Sequence, residues 1–242
     1  MIKYIDSAKM GRGIHEWLDS HFHFSFAEYY NPKNINFGVL RVVNDDLVKP
    51  GTGFGAHPHR DMEIISYVVD GELTHGDSMG NRETLSRGQV QYMSAGTGVI
   101  HSEHNLASEN GLRFLQIWIL PDAEDHEPNY GDYRFKFEDR IGNWLPIATS
   151  VDNKESIAPI KMHQDVNVYA TVVKEGESAD FEIAEDRQAY MVLIEGKAAV
   201  KGLESGDIHT LKQRDAAEIK GEGIEINATE DSHILVIEMK RL

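Results

Sequence analysis

The 242-residue chain has no cysteine, so disulfides, thiolate metal ligands and a cysteine nucleophile are all excluded. Any metal it binds is held by nitrogen and oxygen. Basic residues are scarce, with 24 Lys and Arg against 40 Asp and Glu, giving a formal charge of −16 at pH 7. A surface field of that sign repels phosphate, which argues against nucleic acid and anionic membranes as partners; its plainest meaning is a solvated surface. Long apolar runs are also missing. The longest, around Ile64 to Val69 and Phe114 to Leu120, are far too short to span a bilayer and suit buried strands. The opening Met1-Ile-Lys-Tyr-Ile-Asp6 has early charge and no apolar core of a secretory signal, so a cytoplasmic protein is expected.

What is present is a series of short β-type runs divided by turn residues. Asn34 to Val43 reads as a strand that Asn44-Asp45-Asp46 breaks, and Val48 to Gly55 reads as a Pro/Gly loop delivering His57 to the mouth of a pocket. Glu63 to Val69 runs into Asp70-Gly71, a strong hairpin signal, and returns through Leu73 to Asp77. Leu85 to Met93 and Phe114 to Leu120 complete this half, and the acidic, Pro-containing segment Pro121 to Tyr133 connects it to a second set of strands. The expectation is an all-β chain, a sandwich or barrel in each half, divided into residues 1–132 and 133–242.

The halves resemble one another. Tyr67-Val-Val-Asp-Gly-Glu72 matches Val192-Leu-Ile-Glu-Gly-Lys197, and Ser94-Ala-Gly-Thr-Gly98 matches Ile219-Lys-Gly-Glu-Gly223, which predicts an internal duplication. In that register His57, His59 and Glu63 fall opposite Glu182, Ala184 and Gln188, while His101 and Glu103 fall opposite Ile226 and Ala228. The second half is therefore expected to keep the frame without metal ligands.

Two histidine clusters stand out, Gly51-Thr-Gly-Phe-Gly-Ala-His57-Pro-His59-Arg-Asp-Met-Glu63 and Gly96-Thr-Gly-Val-Ile-His101-Ser-Glu103-His104-Asn105. Residues two apart on a strand share a face, so His57 with His59, or His101 with Glu103, could reach one ion. Imidazole and carboxylate suit Fe, Mn, Co, Ni, Cu or Zn, and ordinary imidazoles would lose a metal as pH falls below about 6.5. Glu63 shares the parity of His57 and His59, which leaves it either a ligand or a group that orients a histidine or the substrate. His21 and His23 copy the spacing but alternate with Phe22, Phe24 and Phe26, the pattern of a half-buried strand. His104 is expected on the opposite face from His101, His75 at the rim or in the core, and Met93, Phe114 and Trp118 in the core.

The pattern Gly51-x5-His57-x-His59-x3-Glu63-x7-Gly71 with Gly88-x7-Gly96-x4-His101-x3-Asn105 resembles the paired motifs of cupins, with Ser94 where many have proline and one extra residue before the histidine. His57-Pro-His-Arg-Asp-Met-Glu63, Asp77-Ser-Met-Gly-Asn81 and Met93-Ser-Ala-Gly-Thr-Gly-Val-Ile-His-Ser-Glu103 are more closely similar to pirins, especially bacterial ones, as are Trp17-Leu-Asp-Ser20 and Phe24-Ser-Phe-Ala27. The resemblance implies a bicupin, two tandem jelly-roll β-barrels, whose N-terminal barrel holds one divalent metal, Fe(II) by analogy, through His57, His59, His101 and Glu103. It further implies an oxidoreductase opening quercetin or a similar flavonol with O2, with Glu103 a candidate proton acceptor and Gln116 at the pocket. The alternative from another class is a metal-containing regulatory or redox-sensing interaction protein without turnover.

Overall fold

The computed structural model describes residues 1–241. Among these, β-branched and aromatic runs fold as strands, and the helical content is two single turns, Ser7–Lys9 and Phe137–Arg140. No helix among the described residues is long and apolar enough to cross a membrane. The chain forms two compact units. The histidine-bearing unit comprises Met10–Phe137 and Met162–Gln164; the second comprises Met1–Lys9, Glu138–Lys161 and the chain from Asp165 onward. The division expected at residue 132 is thus not a single cut, because the first strand and a three-residue segment each pack with the other half of the sequence.

In chain order the strands are β1 (Ile2–Ile5), β2 (Gly11–Ile14), β3 (Leu18–Phe22), β4 (Leu40–Val48), β5 (Thr52–His59), β6 (Glu63–Asp70), β7 (Glu72–Asp77), β8 (Arg82–Ser86), β9 (Val90–Ser94), β10 (Val99–Asn105), β11 (Leu112–Ile119) and β12 (Asn129–Tyr133). They continue as β13 (Leu145–Ser150), β14 (Ile160–Met162), β15 (Val166–Val173), β16 (Ser178–Phe181), β17 (Arg187–Glu195), β18 (Lys197–Gly202), β19 (Ile208–Lys212), β20 (Ala216–Lys220), β21 (Ile224–Ala228) and β22 (Ser232–Lys240). The histidine-bearing unit has a seven-stranded sheet, β12-β9-β6-β11-β4-β3-β2, and a four-stranded sheet, β5-β10-β7-β8. The second unit repeats that plan as β1-β20-β17-β22-β15-β13-β14 with β16-β21-β18-β19. The β6–β7 and β17–β18 hairpins turn at Gly71 and Gly196, with φ of 79° and 89°, where a Cβ would strike backbone oxygen at 2.3 and 2.1 Å.

Three sequence expectations need correction. β4 begins at Leu40 and runs straight through Asn44-Asp45-Asp46, because each buried carboxylate finds a partner: Arg113 grips Asp45 with two hydrogen bonds of 2.9 and 2.6 Å, and Ser20 donates to Asp46. Thr52–His59 is a strand rather than a loop; Gly53 is there for close approach, since a Cβ would sit 2.4 Å from the Glu103 backbone oxygen. Finally, β16 ends at Phe181, so Ala179 and Phe181, opposite Ile226 and Ile224, occupy the paired positions instead of Glu182 and Ala184. These side chains, with Met191, Val200 and Val236, fill the interior of the second unit.

Candidate metal centre

His57 and His59 lie at the end of β5, and antiparallel pairing sets His101 of β10 directly opposite His57. The alternation of β5 aims both of its histidines to one side, and ring centroids of the three lie 4.5 to 4.8 Å apart. One ring nitrogen from each lies within 4.8 Å of the others. His57 Nδ1 is 2.7 Å from the Gly55 carbonyl oxygen, which can only accept, so Nδ1 carries the hydrogen and Nε2 presents a lone pair. That Nε2 is 3.0 Å from His101 Nε2. Burial, reinforced by the neighbouring histidines, lowers His59 to about 4 and His101 to about 3. Both rings are therefore neutral far below the pH of 6.5 expected of free imidazole. Converging, neutral, lone-pair-bearing nitrogens fit a transition metal ion.

Glu103 is 2 % exposed and lies beyond an irregularity in the β10–β5 register. Its Oε1 accepts from Ser66 Oγ at 2.7 Å and from Gln91 Nε2, and its Oε2 accepts from Gln116 Nε2 at 2.6 Å. These donors come from one row running across the seven-stranded sheet, because Asn44 pairs with Gln116, Gln116 with Ser66 and Ser66 with Gln91. The carboxylate groups closely with His101 and His75, while His57 and His59 group with His101; the two clusters share that residue. Gln116, expected at the pocket, lines the cavity beside the histidines and donates to Glu103.

His75, expected at the rim or in the core, lies in the core beside the cluster. It is fully buried, its Nε2 lies 2.9 Å from Asp77 Oδ2, and its ring stacks on Tyr130 at 4.6 Å and approaches His101 at 5.4 Å. Hydrogen bonds from His75 and Asn81 hold Asp77 below the usual carboxylate range although burial opposes this. The spacing His75-x-Asp77, two residues on one strand face, was the available signal.

Glu63 goes elsewhere. The bend at Arg60–Met62, where Asp61 has φ of 46°, separates β5 from β6 and cancels the parity argument. Glu63 is buried with Tyr92, with Ser94 Oγ at 2.6 Å and with the His163 backbone N–H at 3.2 Å, and none of His57, His59 or His101 is among its hydrogen-bond partners. His104 lines a pocket with His75, Ser102 and Arg82 and belongs to neither ligand-type cluster. His23 is buried, and His21 lies on β3, away from both ligand-type clusters.

A cavity of about 340 Å³ opens beside the site, lined by Trp17, Phe22, Phe26, Phe54 and Trp118 together with His57, Glu103 and Gln116. Trp118 meets His59 edge-on at 4.9 Å. Asp46 lies on the same cavity wall; burial pushes its carboxyl up to about 7 against the hydrogen bond from Ser20, with the charges of Asp45 and Glu103 adding to the rise. A roomier groove of about 490 Å³ near Pro50 and Arg113 contains none of the clustered ligand-type residues.

Both halves match described families, residues 5–119 the pirins and residues 148–239 the quercetinase C-terminal cupin domain. The chain belongs to the pirin family. It is 41% identical over 231 residues to a pirin-like protein of Caulobacter vibrioides, covering 95% of this chain and 96% of that one. It is 37% identical over 239 residues to the quercetin 2,3-dioxygenase of Escherichia coli K12, covering 99% of each. The crystal structure of the bacterial pirin YhhW from Escherichia coli in complex with nickel(II) superposes with a TM-score of 0.89 at 35% identity, over 100% of both chains. The fold is accordingly a bicupin, as the motifs implied.

Proposed function

We propose that the chain is a metal-dependent dioxygenase that opens the ring of quercetin or a similar flavonol with O2. The observation that carries this reading is the convergence of three imidazoles, one of which, His57, lines an aromatic cavity. In this reading His57, His59, His101 and Glu103 hold one divalent metal, Fe(II) natively, in a protein of the cytoplasm. Mn, Co, Ni, Cu and Zn suit the same nitrogen and oxygen donors, and the Escherichia coli relative holds nickel(II). When bound, the metal supplies Lewis-acid and template chemistry for a flavonol oxygen and dioxygen.

The protein contributes position and environment. Gly55 fixes the tautomer of His57, and Ser66, Gln91 and Gln116 hold the Glu103 carboxylate in one orientation. The aromatic walls exclude water and suit a flat substrate. Glu103 is the proposed acceptor of the flavonol hydroxyl proton; Glu103→Gln retaining metal and full turnover would remove that role. The activity is tested by aerobic incubation of metal-loaded protein with quercetin. Loss of flavonol absorbance with carbon monoxide release, abolished in His59→Ala, is expected. Binding of metal and flavonol without O2 consumption under any of these metals would overturn the assignment.

A further inference from the structure

Within the cavity, the acceptors nearest the metal cluster are already committed. Glu103 accepts from three side chains, and Gln116 donates to it. The next polar groups along the same sheet are not. Asn44 and Asp46 alternate on β4 so that both face the cavity, while Asp45 between them turns to Arg113. Asn44 Oδ1 is buried and has no hydrogen-bond partner, and the same is true of the Trp118 Nε1–H. Asp46 is 3 % exposed and accepts one hydrogen bond, from Ser20 Oγ, whereas a carboxylate has about four acceptor positions. Native proteins rarely leave buried polar atoms unsatisfied, and several in one cavity mark where a ligand's polar groups belong.

We infer that Asn44 and Asp46 are the specificity-determining residues of this cavity, accepting hydrogen bonds from phenolic hydroxyls of a polyhydroxylated planar aromatic that are remote from its metal-facing oxygens. The inference rests on the flavonol reading above. The site supplies two acceptors side by side on one strand, one donor at Trp118 for a carbonyl or phenolate oxygen, and flat apolar walls between. A site built to bond a hydroxyl discriminates strongly against the analogue lacking it, because its own buried acceptor is then left unpaired.

The test is equilibrium binding under argon, which prevents turnover, read by quenching of tryptophan fluorescence, since Trp17 and Trp118 line the cavity. The probes are quercetin and 3-hydroxyflavone, which keeps the 3-hydroxyl and 4-carbonyl but lacks the other hydroxyls. Wild-type protein is expected to prefer quercetin by about tenfold or more, the worth of a hydrogen bond to a charged group. Asn44→Leu and Asp46→Leu should each erode that preference while leaving 3-hydroxyflavone affinity within about twofold, and Asp46→Asn should restore part of it. If Asp46→Leu fails to fold, the Asn44→Leu and Asp46→Asn arms decide the matter. Equal binding of the two probes by wild type, or an undiminished preference in the variants, overturns this inference alone. Failure of wild type to bind either probe removes the flavonol reading and this inference with it.

Discussion

Replacing Gln116 with leucine is predicted to weaken metal binding by about 10- to 100-fold without unfolding the chain. The Gln116 amide donates to Glu103 Oε2 at 2.6 Å, the only one of the three donors that serves that oxygen. A hydrogen bond to a charged group is worth about 1.5–3 kcal/mol, and removal of a partner that orients a metal ligand costs about 10–100-fold in affinity. The two figures agree, since 1.4 kcal/mol is about tenfold. The loss is not larger because Ser66 and Gln91 still hold Oε1. Ser66 has one hydroxyl hydrogen but sits within 2.7 Å of Glu103 Oε1 and 2.9 Å of Gln116 Oε1, so in the variant it is free to donate wholly to Glu103. The assay is competition between protein and a chromophoric chelator for Fe(II) or Ni(II), with urea unfolding of the metal-free protein as control. Wild-type metal affinity in Gln116→Leu would refute the reasoning, as would a loss matching that of His59→Ala, which would make Gln116 as indispensable as a proposed ligand.

Arg113→Met leaves Asp45 buried without its two hydrogen bonds, and a loss of about 3–5 kcal/mol is expected, seen as a fall in Tm that Asp45→Leu in the same chain largely reverses. The pH dependence of the metal-free protein follows from His59 and His101, whose folded values of about 4 and 3 lie below the unfolded value of about 6.5. The unfolded state binds more protons between those values, so stability falls as pH drops from about 6.5 toward 4, by less than about 1.4 kcal/mol per pH unit for each ring. Asp46, raised to about 7, has the opposite sign, losing stability as pH rises through its folded value. The difference in urea midpoint between wild type and the double variant His59→Ala, His101→Ala, followed from pH 7.5 to 5, isolates the histidines; parallel curves would exclude the effect.

Much of the site was legible because its spacing is local. His57-x-His59 and His101-x-Glu103 each place two side chains by strand parity alone, and the Asp70-Gly71 turn fixes a hairpin by backbone chemistry. What could not be read depended on partners distant in sequence. Asn44-Asp45-Asp46 looked like a strand break because its compensation lies at Ser20 and Arg113. Glu63 kept its parity on paper, but a single residue with positive φ at Asp61 redirected it to Tyr92 and Ser94. His163, a hundred residues away, completes that cluster and carries no local signal.

The duplicated frame explains why one unit carries the cluster and the other does not. Both seven-stranded sheets have a register shift at the same place: Asp70 faces Arg113 and Val68 faces Phe114 in one, while Glu195 faces His233 and Leu193 faces Ile234 in the other. Counting outward from that shift, Ser66 corresponds to Met191, Gln116 to Val236, Gln91 to Ala217 and Asn44 to Tyr169. The three donors to Glu103 thus have apolar counterparts buried in the second core, while Asn44 corresponds to Tyr169, which packs against that core half-buried. The polar row is therefore a requirement of the carboxylate rather than of the fold. Substituting Glu103→Ala, Ser66→Met, Gln91→Ala and Gln116→Val together should give a folded chain with no measurable metal affinity. Its metal-free stability should match or exceed wild type by about 1–4 kcal/mol, as when buried charged networks elsewhere are replaced by apolar packing. Urea unfolding decides between this and the contrary view, that the row is needed for the sheet: a destabilised or molten quadruple variant would mean that these polar contacts help build the barrel and do not merely hold the carboxylate.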